Sequence, residues 1–342
     1  MNQNLFDLII IGSGPAGLTA SIYASRYKMS NLVLGKQKAG TIGFAHRVEN
    51  WPGFTAISGL ELMEKVEAQA KALGAEIIYD PVRQIKKENG FFSLFTDSGK
   101  NYQTKTLILA TGTERRKLGI SGEEKFLGKG VSYCTVCDIP FFKDKTIVLV
   151  GGADAACSGA VHAAEYAAKV YLIYRKEQLR AEPVWIDQVS KNPKIEVIYN
   201  TNISKILGGE DIKILGEKEK NSLQVPVSEP SQIAMDKVAA VELDPAYKGS
   251  NFLKTDGIFI EIGGVPGTTL AQLAGIELDE AGFIKVDKEM KTNIQGIFAA
   301  GDTTDFLPRF QQMITASAMG AIAAASAYQY LKGNQAPPQR GI

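Results

Sequence analysis

The chain has 342 residues, 45% of them hydrophobic and 22% charged, and its net charge is +1. That length exceeds the usual span of one hydrophobic core and predicts two domains. The near-zero charge argues against nucleic acid or a polybasic membrane surface as a partner, and no apolar run reaches transmembrane length.

Met1-Asn2-Gln3-Asn4 carries no basic region or small-residue cleavage site ahead of the first strand, so a cytoplasmic protein is expected. Residues 6–11 form an apolar run of the kind found in a buried parallel strand. Gly12-Ser13-Gly14-Pro15-Ala16-Gly17 follows, then a helical pattern from about 18 to 27 and a second strand over 31–34. Ser58 and Glu61 form a capping box that opens a helix to about 73. Alternation over 90–104 predicts a β-meander, and 106–112 reads as another buried strand.

The first pattern recurs. Residues 146–150 are an apolar strand, Gly151-Gly152-Ala153-Asp154-Ala155-Ala156 is the turn, a helix runs to about 168, and a strand covers 170–174. The polar, proline-broken stretch 208–236 is expected to form a hairpin with a mobile tip. A late buried strand covers 297–302, a small-residue helix runs from about 312 to 331, and the tail from 333 is expected to be loose.

Two nucleotide-binding turns therefore punctuate the chain. In Gly12-x-Gly14-x-x-Gly17 the first glycine permits the tight turn, the second admits a pyrophosphate to the main chain, and the third lets helix and strand pack closely. The pyrophosphate then rests on free N–H groups at the positive helix end. The second strand ends at Leu34-Gly35-Lys36 without an acid for a ribose, so the turn alone leaves the dinucleotide open.

Between the turns stands Cys134-Thr135-Val136-Cys137-Asp138. One sulfur of such a pair attacks a disulfide and the other resolves the mixed species. Asp138 offers a carboxyl that could move a proton to the leaving thiol, or could merely cap a helix. Zinc would need more ligands than His46, His162 and Cys157 add, so no metal site is expected. Cys157 lies in an alanine-rich helix and reads as a small core residue.

Taken together, these motifs resemble the low-molecular-weight thioredoxin reductases, flavin-dependent members of the pyridine nucleotide-disulfide oxidoreductases, to about residue 331. The resemblance rests on the two turns, Val48-Glu49-Asn50-Trp51-Pro52-Gly53-Phe54, Ala110-Thr111-Gly112, the dithiol motif, Ile262-Gly263-Gly264-Val265-Pro266 and Ala300-Gly301-Asp302. It implies an α/β fold with two Rossmann-like three-layer ββα domains, the second inserted into the first. An FAD-binding domain would span 1–116 and 251–342, and an NADPH-binding-like domain 117–250. It also implies FAD held by Gly12, Ser13, Gly14, Pro15, Ala16, Gly17, Asn50, Thr111, Gly112, Gly301, Asp302 and Gln312, with Asp302 near the ribityl or phosphate region. Cys137 would face the flavin, Cys134 would exchange with a thioredoxin-like protein, and Asp138 would serve as acid and base in a homodimer.

The departures cluster on the pyridine-nucleotide side. Gly151 and Gly152 remain, but Ala153 stands where the family has its middle glycine, and Ser158 and Gly159 replace paired glutamates. The family's His-Arg-Arg with a later arginine reads here as Tyr174-Arg175-Lys176 with Arg180. Three cations for a 2′-phosphate remain. Phe310-Gln311-Gln312 replaces Tyr-Arg-Gln, and Gly40-Thr41-Ile42-Gly43 rewrites a loop near the flavin. The reading is a flavin-dependent disulfide reductase with NADPH as donor. One alternative is ferredoxin or another donor, and a further one is a flavin-binding redox sensor with little turnover.

Overall fold

A computed structural model of the chain describes residues 5–88, 90–218, 236–308 and 310–333. The chain divides into two compact units, Met1–Glu114 with Val265–Ile342, and Arg115–Gly264. The insertion thus runs past residue 250. Strand Gly257–Ile260 lies inside the second unit's parallel sheet, between Thr146–Val150 and Val131–Ser132, and cannot leave it without breaking that ladder.

In the first unit a seven-stranded sheet is ordered Glu76–Tyr79, Asn31–Gly35, Leu5–Ile11, Asn101–Leu109, Phe91–Thr96 and Val82–Glu88, with Ile297–Ala299 also pairing with Asn101–Leu109. The second half of Leu5–Ile11, residues 8–11, is buried on both faces because its side chains alternate between two cores. Leu8 and Ile10 join Leu18, Ala20, Ala24, Ala316, Met319 and Ala323 of the helices Pro15–Arg26 and Met313–Lys332. Ile9 and Ile11 join Leu32, Leu34, Leu94, Leu107 and Leu109 on the other side. Small residues let the two helices touch: a Cβ on Gly320 would stand 2.1 Å from the Ala16 carbonyl oxygen.

The expected meander is present as Val82–Glu88, Phe91–Thr96 and Asn101–Leu109, all antiparallel. Its last strand is continuous with the buried run after 106, because Asn101–Leu109 also pairs in parallel with Leu5–Ile11 along its length. The helix after the first turn begins at Pro15, earlier than the apolar periodicity suggests, since proline's missing N–H costs nothing at the first helical position. Ser58 caps Gly59–Ala72 by accepting the Glu61 N–H at 3.2 Å.

In the second unit a five-stranded parallel sheet is ordered Ile195–Ile198, Lys169–Ile173, Thr146–Val150, Gly257–Ile260 and Val131–Ser132. Ile147 and Leu149 face the helices Asp154–Tyr166 and Pro183–Lys191, packing with Ala156, Ala160, Trp185 and Val189. Val148 and Val150 face an antiparallel sheet of Asn202–Gly208, Val238–Tyr247 and Ser250–Lys254 through Ile203, Ile206, Val241 and Leu243. Helices, parallel sheet and antiparallel sheet make the three layers.

The hairpin expected over 208–236 is corrected in part. Gly209–Lys218 is a helix with Glu210 and Asp211 in its first turn, and Asp211 Oδ2 accepts the Gly208 N–H at 2.8 Å. Acids at a helix N-terminus suit its dipole and favour that choice. Residues 219–235, where the mobile tip was expected, and the tail from 334 lie outside the described residues. No helix among the described residues is long and apolar enough to cross a membrane.

Candidate functional site

The first turn leaves the carboxyl end of Leu5–Ile11 and enters the helix Pro15–Arg26. Gly12 has φ +121°, and a Cβ there would lie 2.0 Å from the Ala110 carbonyl oxygen. A Cβ on Gly17 would lie 1.8 Å from the Gly12 carbonyl oxygen, so helix and strand are in backbone contact. Gly14 is different: a Cβ there would meet no described atom within 4 Å. Two of these glycines are demanded by the protein's own packing, and the middle one borders open space.

The other residues expected around this turn come together in the first unit. Thr111 Oγ1 donates to Thr303 Oγ1 at 3.1 Å, which ties the Ala110-Thr111-Gly112 segment to the Gly301-Asp302 segment. Gly301 has φ +83°, and its Cβ position lies 3.0 Å from Ala16 Cβ. Asn50 Nδ2 donates to Gln312 Oε1 at 3.2 Å, and Gln312 caps Met313–Lys332. The rewritten loop forms a short 3₁₀ helix, Gly40–Phe44, with the Gly40 Cβ position 3.0 Å from Gly14 Cα. Asp302 Oδ1 is buried and lacks a hydrogen-bond partner among the described residues. Burial pushes its carboxyl up from 3.8 to about 6.

In the second unit Cys134 and Cys137 form a disulfide, with S–S 2.08 Å. The pair sits on a single helical turn, Thr135–Asp138, with Cys134 as its N-cap and Cys134 Sγ accepting the Cys137 N–H at 3.2 Å. Ser132 clasps Cys134: its Oγ accepts the Cys134 N–H at 2.9 Å and donates to the Cys134 carbonyl at 3.2 Å. Asp138 starts the 3₁₀ turn Ile139–Phe142, but its side chain makes no cap hydrogen bond. A cap alone therefore does not account for it.

Sequence reasoning missed Glu261. This largely buried carboxylate follows the apolar strand Gly257–Ile260. Its Oε1 accepts the Thr135 hydroxyl at 2.9 Å and the Thr135 N–H at 3.3 Å, and its Oε2 meets Arg115 Nη1 at 3.0 Å. Burial raises its pKa, opposed by the Arg115 charge and the Thr135 hydrogen bonds. A lone acid at the carboxyl end of a buried strand was the available signal.

At the second turn Gly151 has φ +144°, with its Cβ position 2.3 Å from the Glu261 carbonyl oxygen. Ala153 is the N-cap of Asp154–Tyr166. Tyr174 is buried with its ring against Gly152, whose Cβ position lies 2.5 Å from it, and the Arg180 N–H donates to the Gly152 carbonyl at 2.7 Å. Arg175, Lys176 and Arg180 are exposed. Cys157 is buried, and burial followed by the Asp154 charge pushes its thiol up to about 12. It is inert packing rather than a third redox sulfur.

The sequence profile of the pyridine nucleotide-disulphide oxidoreductases matches residues 6–320. A thioredoxin reductase of Treponema pallidum is 39% identical over 329 residues, 95% of this chain and 97% of that protein. One of Listeria innocua is 37% identical over 332 residues, 96% of this chain and 95% of that protein. The crystal structure of Lactococcus lactis thioredoxin reductase aligns at TM-score 0.83 and 34% identity over 95% of this chain and 99% of its own.

Proposed function

Because the chain belongs to the pyridine nucleotide-disulphide oxidoreductases, we propose that it is an FAD-dependent disulfide reductase that passes electrons through Cys134 and Cys137 to a thioredoxin-like protein. The carrying observation is the disulfide itself, seated on one helical turn with a carboxyl on the next residue.

The residues at the first turn fit a flavin dinucleotide. Open space beside Gly14 suits a pyrophosphate on the main chain, and the unpartnered Asp302 Oδ1 suits a ligand hydroxyl that donates to it. Gly12, Ser13, Pro15, Ala16 and Gly17 would form the turn around the pyrophosphate, with Asn50, Thr111, Gly112, Gly301 and Gln312 lining the rest. When bound, FAD supplies a ring that takes an electron pair from a soluble donor and yields it to a disulfide.

The chain's own chemistry is thiol exchange. Reduction of the Cys134–Cys137 bond consumes two electrons and two protons and leaves two thiols. Cys134, as thiolate, attacks one sulfur of the partner's disulfide and the other sulfur leaves as a thiol. Cys137 then attacks Cys134 of the mixed disulfide, re-forming the original bond and releasing the partner's second thiol. Asp138, next to Cys137, would relay a proton to the departing sulfur. Cys134→Ser should abolish disulfide turnover while leaving flavin content unchanged. Turnover that persists in this variant would sink the reading.

NADPH is the donor in this reading. Arg175, Lys176 and Arg180 would hold its 2′-phosphate, with Gly151 and Gly152 at its pyrophosphate. Ala153 and the Tyr174 ring on Gly152 favour the second reading, in which ferredoxin or another carrier supplies the electrons. Anaerobic titration decides between them: bleaching of the flavin by NADPH supports the first, and no bleaching at millimolar NADPH removes it. The reading also includes a homodimer, which light scattering tests.

A further inference from the structure

Glu261 links two parts of the second unit that stand far apart in sequence. Its main chain abuts the second glycine turn, with the Gly151 Cβ position 2.3 Å from its carbonyl oxygen. Its side chain reaches 126 residues back to Thr135, the residue between Cys134 and Val136. The contact is specific. Oε1 takes both Thr135 donors, at 2.9 and 3.3 Å, and Oε2 is occupied by Arg115 at 3.0 Å. The Glu261 side chain is 11% exposed and that of Arg115 28%. Gly159, on the helix behind, leaves room for the hydroxyl: a Cβ there would stand 3.3 Å from Thr135 Oγ1.

None of this is needed for the fold of a short turn. Ser132 and the Cys137 N–H already hold Cys134 locally. A buried carboxylate is a costly way to satisfy one threonine, and it is retained with its own counter-ion. Reduction of the disulfide creates thiolate character on this turn. A carboxylate bonded to the neighbouring residue disfavours that charge, and a guanidinium behind it favours it.

We propose that Glu261, clamped by Arg115, is a positioning residue for the dithiol: it tethers Thr135 and, through the balance of the ion pair, sets how readily the Cys134–Cys137 bond is reduced. The inference rests on the reading of that pair as the redox couple. It assigns two separable effects, a charge effect and a tether, and each has its own variant. Glu261→Gln keeps an oxygen for Thr135 and removes the charge. Thr135→Val keeps the shape and removes the hydroxyl.

The test uses the flavin-loaded protein in dithiothreitol redox buffers. Each reduction breaks the S–S bond with two electrons and two protons, while dithiothreitol closes to its cyclic disulfide. Alkylation of Cys134 and Cys137 followed by peptide mass spectrometry gives the equilibrium constant directly. Glu261→Gln removes the negative charge bonded to Thr135 and should favour the reduced pair about tenfold, about 30 mV for a two-electron couple. The double variant Arg115→Gln/Glu261→Gln should return to within about threefold of the parent. Thr135→Val should speed amide hydrogen exchange at residues 135–138 about tenfold without change in the strand Thr146–Val150.

A Glu261→Gln constant within about twofold of the parent overturns the proposal. So does a double variant as shifted as the single, which would mark a packing role alone. If Glu261→Gln does not fold, unchanged exchange in Thr135→Val overturns it instead. Failure of the parent pair to titrate at all would remove the redox reading beneath it, an outcome distinct from a reversible but unshifted midpoint.

Discussion

Ser13 and Gly35 compete for one space. A Cβ on Gly35 would stand 2.5 Å from Ser13 Oγ, which itself donates to the Gln37 carbonyl at 2.6 Å. The strand after the first turn therefore has no room for a side chain at its end, and its lack of an acid is a packing requirement.

Gly35→Ala should push Ser13 out of the turn and cost about 1–3 kcal/mol of stability, the usual range for an overpacked core. Flavin per polypeptide after gel filtration should fall with it. An unchanged flavin ratio and an unchanged Tm would show that the turn relaxes freely.

Asp302 carries a cost that a ligand would relieve. Its carboxyl is raised from 3.8 to about 6 by burial, so the folded state holds the proton more tightly than the unfolded chain. The destabilisation is absent below about pH 4 and complete above about pH 6. Asp302→Asn should stabilise the flavin-free protein by on the order of 2 kcal/mol at pH 7.5 and by nothing at pH 4. It should also weaken flavin retention. Equal Tm values for parent and variant at both pH values would refute the raised Asp302 carboxyl.

The exposed cations make a separable claim about the donor. Arg175→Ala with Arg180→Ala should raise the NADPH KM about tenfold or more, because each charge-assisted contact contributes about 1.5–3 kcal/mol. The kcat should change little, since the 2′-phosphate is remote from the chemistry. Steady-state kinetics with NADPH and NADH side by side provide the check. An NADPH KM that does not move leaves the basic cluster without this role.

Glu196 joins two elements of the second unit. It accepts hydrogen bonds from Lys248 at 2.6 Å, from Tyr247, and from Lys169 at 2.9 Å. These hydrogen bonds, Lys248 first, hold its carboxyl down at about 2. The folded value is depressed, so the contribution is complete above pH 4.5 and is lost as the pH falls to about 2. Much of the cluster is solvated, which limits Glu196→Gln to about 1 kcal/mol of destabilisation at pH 7. Urea melts at pH 7 and pH 3 test it: the difference between parent and variant should shrink at the lower pH.

Local rules carried the sequence reading a long way. Apolar runs followed by Gly12-x-Gly14 and Gly151-Gly152 announce strand, turn and helix, because only glycine tolerates the positive φ of Gly12 and Gly151. The spacing of Cys134 and Cys137 places both sulfurs on one turn, and Ser58 with Glu61 announces its helix. Such features depend on neighbours within a few residues, so periodicity and backbone geometry suffice to find them.

Packing decided the rest. That Gly35 must be bare follows from Ser13, 22 positions earlier (35 − 13) and across a strand junction. That Asp302 Oδ1 lacks a partner among the described residues follows from its burial among segments drawn from both ends of the chain. The tether from Glu261 to Thr135 exists because the sheet sets Gly257–Ile260 beside Val131–Ser132, a pairing no local pattern encodes. Hydrogen bonds and close contacts depend on distance in space, and only the folded sheet order converts 126 residues of chain into 2.9 Å.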